Sequence, residues 1–219
     1  MPATGSSLLS IQVSLSGFSF NSSPWFGAER IFTTPEFLRR YELVEIALLT
    51  PKCTLVPESF FSETVARTLL EDVCSLRDSD VVSWVRVPRF SSVLIYSNSI
   101  DESLSKAISG TVLMTSGEQA PVLPEMYYLL EASGSCEEYN KILCSYMDGW
   151  LYLVIAQGRS LCLANVYRAQ DFTTAEYFIF LSLKRLQMNP EVSTICFRTP
   201  LDIEAEMSLY RYFKSVVRI

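Results

Sequence analysis

Two stretches of this chain recur in the same order, and a repeat limits the fold more than any single motif does. Ile11 to Phe20 lines up with Leu143 to Tyr152, setting Ser16-Gly17-Phe18 over Asp148-Gly149-Trp150. Ser92 to Asp101 lines up with Ser193 to Asp202; each copy holds a short apolar strand, a polar turn and an acidic helix start. The two pairs are spaced differently, so the first copy carries an extra segment of about 31 residues. Duplication predicts two lobes, residues 1–138 and 139–219. Charge divides at the same place, with a net −8 before it and +2 after it.

The local signals fill both lobes with short strands and helices. In the first, Leu8 to Leu15 and Phe18 to Asn21 read as a hairpin. Thr34-Pro35 opens a helix, and Leu43 to Leu49 is a strand stopped by Thr50-Pro51. Val65, Leu69, Leu70 and Val73 recur at helical spacing, which predicts a helix over about 59–74. Val81 to Val87 and Val93 to Tyr96 are strands. A helix over Asp101 to Ile108, a strand over Thr111 to Thr115 and a helix from Pro124 to about Glu131 follow. In the second lobe, Lys141 to Tyr146, Trp150 to Ala156 and Ser160 to Tyr167 form a meander joined by Asp148-Gly149 and Gln157-Gly158, pairs suited to tight turns. Thr173 and Glu176 read as a capping box, Thr194 to Phe197 as a strand, Asp202 as a helix cap and Val216 to Ile219 as a last strand. The order is β-β-β-α-β-α.

Several chemistries are excluded by what the chain lacks. It has no histidine, which removes Ser-His-Asp and Cys-His nucleophiles and every histidine zinc site. Its 8 glycines never lie within two residues of one another, so neither a P-loop nor a G-x-G-x-x-G cradle can form. A net charge of −6 argues against a nucleic-acid surface. None of the 6 cysteines pairs as C-x-x-C, and free thiols in a reducing, cytoplasmic setting are expected. No signal-peptide pattern is read in residues 1–28, and no apolar run is long enough to span a membrane.

A meander of three strands followed by α-β-α, present twice, resembles the duplicated ribonuclease H-like plan of the actin-like ATPases. Leu9 to Phe20, Thr50 to Phe61 and Trp150 to Phe180 also resemble a bacterial family of unknown function assigned that fold. The resemblance implies an α/β protein of two ribonuclease H-like lobes, each a β-β-β-α-β-α core on a mixed sheet, with a cleft between them. In the wider actin-like group each lobe grips phosphate with a hairpin whose Asp lies two residues before a Gly. Here those places hold Leu15 before Gly17 and Met147 before Gly149, neither of which can position a metal-bound water. Asp148 is one residue off, which in a strand turns it to the other face.

The expected function is therefore a non-catalytic protein-interaction or scaffold module that keeps the fold without its phosphate chemistry. No cofactor is expected, ATP and Mg²⁺ being disfavoured, and the partner is an unidentified protein. The alternative is a divergent nucleotide binder or phosphotransferase using Ser14, Ser16, Gly17, Asp148 and Gly149 in the cleft. Those glycines also read simply as hairpin turns. Phe18, Phe20, Trp150 and Tyr152 are either core or an exposed patch for a partner. The sequence sets no oligomeric state.

Overall fold

The computed structural model describes residues 8–14, 17–20, 25–27, 30, 43–99, 114, 115 and 118–219. The helices expected at Thr34-Pro35 and over Asp101 to Ile108 lie outside the described residues, as do Leu15 and Ser16. In chain order the elements are β1 (Leu8–Val13), β2 (Gly17–Phe20), β3 (Phe26–Gly27), β4 (Leu43–Leu48), β5 (Cys53–Pro57), α1 (Ala66–Glu71), β6 (Val82–Val87), β7 (Ser92–Ser97), β8 (Met114–Thr115), β9 (Glu118–Gln119) and β10 (Val122–Pro124). They continue with α2 (Glu125–Ala132), β11 (Asn140–Met147), β12 (Trp150–Gln157), β13 (Ser160–Arg168), α3 (Phe172–Arg185), β14 (Thr194–Phe197), α4 (Ile203–Leu209) and β15 (Ser215–Arg218). Among the described residues no helix is long and apolar enough to cross a membrane.

Contacts divide the chain into two units. The first comprises Met1–Thr50, Asp78–Val81 and Ser97–Pro124; the second comprises Pro51–Arg77, Val82–Tyr96 and Glu125–Ile219. The first unit holds a five-stranded sheet in the order β10-β4-β1-β2-β3, and the second holds one in the order β13-β12-β11-β14-β15. The plan is the same in both. A meander pairs antiparallel, and its first strand then pairs parallel with a later one, β1 with β4 and β11 with β14. One further parallel strand, β10 or β15, closes each sheet. The meander turns are built from the expected residues: Asp148 and Gly149 at φ 53 and 73, and Gly158 at φ 56.

The register shows which residues correspond. Leu49 N–H donates to the Val13 carbonyl at 2.7 Å, and Arg198 N–H donates to the Cys144 carbonyl at 2.9 Å. The strand end Ile46-Ala-Leu-Leu-Thr-Pro51 thus matches Ile195-Cys-Phe-Arg-Thr-Pro200, and Ser14 matches Ser145. This corrects both sequence alignments. Ser92 to Ser97 forms β7, which sits in a separate three-stranded sheet of order β5-β7-β6, antiparallel to β5. The counterpart of β14 is β4. Across the hairpins, Phe18 faces Val13 as Leu153 faces Cys144, so Gly17 corresponds to Tyr152 and not to Gly149. The second hairpin runs on through Tyr146–Leu151 and Met147–Trp150 before it turns.

The second unit's main core lies between one face of its sheet and helices α3 and α4. Ile142, Cys144, Leu151, Leu153, Ile195 and Phe197 meet Ala175, Ile179, Leu183 and Leu209 there. The cap of α3 differs from the expected box: Asp171 accepts from Thr174 N–H at 2.7 Å, two residues before Thr173. Hydrogen bonding from the Thr174 side chain, and then from its backbone N–H, holds the Asp171 carboxyl below its usual range. Asp202 caps α4 as expected, accepting from Ala205 N–H at 2.7 Å. The helix expected over 59–74 is shorter, with two 3₁₀ turns before the six residues of α1. Ala66 and Leu70 of α1 bury against Val93 and Ile95 of β7.

Gly17 has a packing reason to be glycine. A Cβ there would lie 2.0 Å from the Phe26 carbonyl oxygen and 2.8 Å from Trp25 Nε1. Gly17→Ala is expected to lower stability by about 2 kcal/mol, or roughly 4–8 °C in Tm by circular dichroism. Gly149→Asn, at a positive φ that Asn tolerates, is expected to cost less than about 1 kcal/mol.

Candidate functional site

The two hairpins named by the sequence carry their residues for backbone reasons. Ser14 is buried, and its N–H donates to the Gly17 carbonyl at 2.9 Å. Gly17 belongs to β2 and faces Gly27 of β3. In the second unit Asp148 is exposed at the turn, and the Gly149 carbonyl accepts from Ala169 N–H at 2.9 Å. Ser16 lies outside the described residues. The hairpin aromatics are mostly core: Phe18, Phe20 and Tyr152 are buried, while Trp150 is half-buried with the Arg168 guanidinium 5.1 Å from its ring. The patch read as a possible surface at these four residues is thus corrected. Large exposed apolar side chains lie instead along one face of α4 and just beyond it, at Ile203, Met207 and Tyr210, spaced i, i+4, i+7.

Sequence reasoning passed over a buried polar constellation, which lies where the parallel strands β11 and β14 end. In open α/β sheets that end is the usual place for a ligand. Alternation along β11 turns Ser145 away from the Cys144 core and toward α2. There its hydroxyl donates to Glu125 Oε1 at 2.5 Å. The other oxygen, Oε2, pairs with Arg198 Nη1 at 2.5 Å. Arg198 follows β14 directly, and its guanidinium stacks 4.6 Å from the Tyr128 ring centre on α2. Thr199 fastens the same strand end to β11, its hydroxyl accepting from Tyr146 N–H at 2.8 Å and donating to the Tyr146 carbonyl.

Burial governs the electrostatics of this cluster. Glu125 is fully buried, and desolvation pushes its carboxyl up to about 8, against the Ser145 hydrogen bond, which lowers it. The same cause pushes Arg198 down to about 10. Tyr152 points to the same side of the sheet, and its buried hydroxyl has no hydrogen-bond partner among the described residues. Burial raises it well above its usual range. The strand ends are thus occupied by the chain's own side chains. A separate cavity of about 440 Å³ lies beside β5 and β13, lined in part by Cys53, Cys74, Leu55, Cys162 and Ala164. Among the described residues no group of three or more Cys, Asp or Glu is placed to hold a metal ion.

A family model described as protein of unknown function (DUF3822) matches residues 27–216. No curated protein matches the chain. Among solved structures, it is similar to a protein of unknown function with an actin-like ATPase fold from Bacteroides thetaiotaomicron VPI-5482. That likeness has 17% identity and a TM-score of 0.71, covering 97% of this chain and 90% of that one. A chain of the PilM-PilN type IV pilus biogenesis complex is similar at 14% identity and a TM-score of 0.53, covering 96% and 87%. The cytoplasmic domain of Epsl, an inner membrane component of the type II secretion system of Vibrio cholerae, is similar at 12% identity and a TM-score of 0.48, covering 89% and 82%. The fold is the mixed α/β, actin-like ATPase fold that the sequence implied.

Two outcomes follow from the buried cluster. A carboxyl raised from 4.5 to about 8 binds a proton in the folded state that the unfolded chain has released. Its contribution to stability is complete below pH 4.5 and declines as pH rises toward 8. In urea titrations Glu125→Gln is expected to flatten that decline, and Arg198→Met to cost more at pH 9 than at pH 6, reaching about 3 kcal/mol when the carboxylate is left charged. Tyr152→Phe removes an unsatisfied buried hydroxyl and is expected to leave stability unchanged or raise it by about 1 kcal/mol in the same assay.

Proposed function

The chain belongs to the DUF3822 family of unknown function, and on that premise we propose that it is a non-catalytic protein-interaction or scaffold module in which the actin-like fold is kept and the phosphate grip lost. The observation that carries this reading is the Glu125–Arg198 pair, which together with Ser145 fills the strand ends that a ligand would otherwise occupy. The hairpins support it. Gly17 is accounted for by the approach of β3, and Gly149 by a positive φ in a tight turn. Met147, which the resemblance puts at the place of the phosphate-side Asp, pairs with Trp150 within the β11–β12 ladder. The two sheets of one plan are read as two ribonuclease H-like lobes, 1–138 and 139–219, from a duplicated ancestor.

A protein partner is favoured by two further points. A chain of the same fold forms part of a pilus biogenesis complex. The stripe Ile203, Met207 and Tyr210 also exposes apolar area of the kind that interaction modules present. The six free thiols suit a reducing, cytoplasmic compartment.

The test is a thermal-shift titration of the full chain with ATP and Mg²⁺, followed by affinity capture. The interaction reading expects no saturable rise in Tm and recovery of one stoichiometric protein partner. A saturable rise with nucleotide would instead establish the alternative, a nucleotide binder working through Ser14, Ser16 and Asp148, because a ligand that binds the native state must stabilise it.

A further inference from the structure

We propose that Cys136 and Cys196 form a reversible disulfide in response to hydrogen peroxide, tying the turn after α2 to strand β14. The Cys136 thiol lies close enough to the Cys196 thiol to act on it electrostatically. The backbone around them is held independently. The Thr194 hydroxyl donates to Glu138 Oε1 at 3.0 Å, and each cysteine stands two residues from one end of that bond. Along β14, Thr194 and Cys196 share the sheet face that looks toward α2, while Ile195 and Phe197 enter the opposite core. The loop segment bearing Cys136 therefore runs over the face from which Cys196 projects.

The two thiols differ in the way that a two-step oxidation requires. Cys136 is half-buried, so a small oxidant can reach it. Cys196 is buried, and desolvation pushes its thiol up to about 12, so it keeps its proton and does not react first. The Cys136 thiolate attacks one oxygen of peroxide; the S–O bond forms, the O–O bond breaks, and water leaves after taking up a proton. The product is a sulfenic acid. The Cys196 sulfur then attacks the Cys136 sulfur; the S–S bond forms, the S–O bond breaks, and the hydroxide leaves as a second water with the Cys196 proton. Two thiols lose two hydrogens and two electrons in all, and peroxide is reduced to two waters. A small dithiol reverses the step by exchange.

The purified full chain is to be treated with hydrogen peroxide, blocked with N-ethylmaleimide under denaturing conditions, and mapped by non-reducing peptide mass spectrometry. The expected result is a loss of two hydrogens from the intact mass, a peptide bearing Cys136 joined to one bearing Cys196, and reversal by dithiothreitol. Cys136→Ser should abolish the cross-link, and Cys196→Ser should leave a sulfenic acid at Cys136 that dimedone traps. A cross-link between Cys53 and Cys74, a bond between two copies of the chain, or conversion of Cys136 to sulfinic acid without any cross-link would each overturn the proposal. Should either variant fail to fold by circular dichroism, the wild-type peptide map decides alone.

Discussion

The hydrogen bonding of the central strands, β1 in one unit and β11 in the other, is what the rest of the structure depends on. Each is bonded antiparallel on one side and parallel on the other. A strand held on both edges cannot slip by one residue without turning every side chain to the wrong face. In β11 that would put Cys144 under α2 and Ser145 into the core beneath α3. The fixed register is why Ser145 meets Glu125, and why Arg198, 73 residues from Glu125, arrives at the same place. Local chemistry at the strand ends follows from ladder geometry set further down the sheet.

A buried ion pair is a costly way to fill such a place. Removing two charges from water is repaid only where the geometry is close and the remaining polar atoms are satisfied. Glu125 meets those terms, with one oxygen on Ser145 and the other on Arg198, whose guanidinium also lies against Tyr128. Tyr152 does not, and its hydroxyl is buried without a hydrogen bond among the described residues. The same patch thus holds a well-satisfied acid and an unsatisfied phenol. An apolar filling would have closed the strand ends with less desolvation.

Much of the second unit was legible because its signals are local. Asp148-Gly149 and Gln157-Gly158 mark turns by the φ they need, and Asp202 caps a helix from within four residues. The repeat was legible in kind but not in register. Ser92 to Ser97 and Thr194 to Phe197 are both buried along their full length. A strand covered on both faces loses the alternation that would tell its neighbours apart. The matching signal was the Thr-Pro pair that ends both β4 and β14. Glu125 was missed for a different reason: an acid at a helix start is favourable in any case, and nothing near it in sequence announces Arg198. The Thr173–Glu176 pattern shows the converse error, since Asp171 reaches the free amides first.

The first sheet also dictates an order of assembly. Its strand order places β10, at residues 122–124, beside β4, at residues 43–48. The intervening stretch contributes a three-stranded sheet and a helix that pack with the other unit. Emerging from the ribosome, β1 through β4 must wait with one edge of β4 open until more than half the chain has been made. Only then can the parallel partner dock and close a long loop, which is a slow kind of pairing. Nascent chains stalled within that interval would carry an unguarded edge, and the window of vulnerability to chaperone capture or misassembly is longer for the amino-terminal sheet than for the second, where β14 follows β11 sooner.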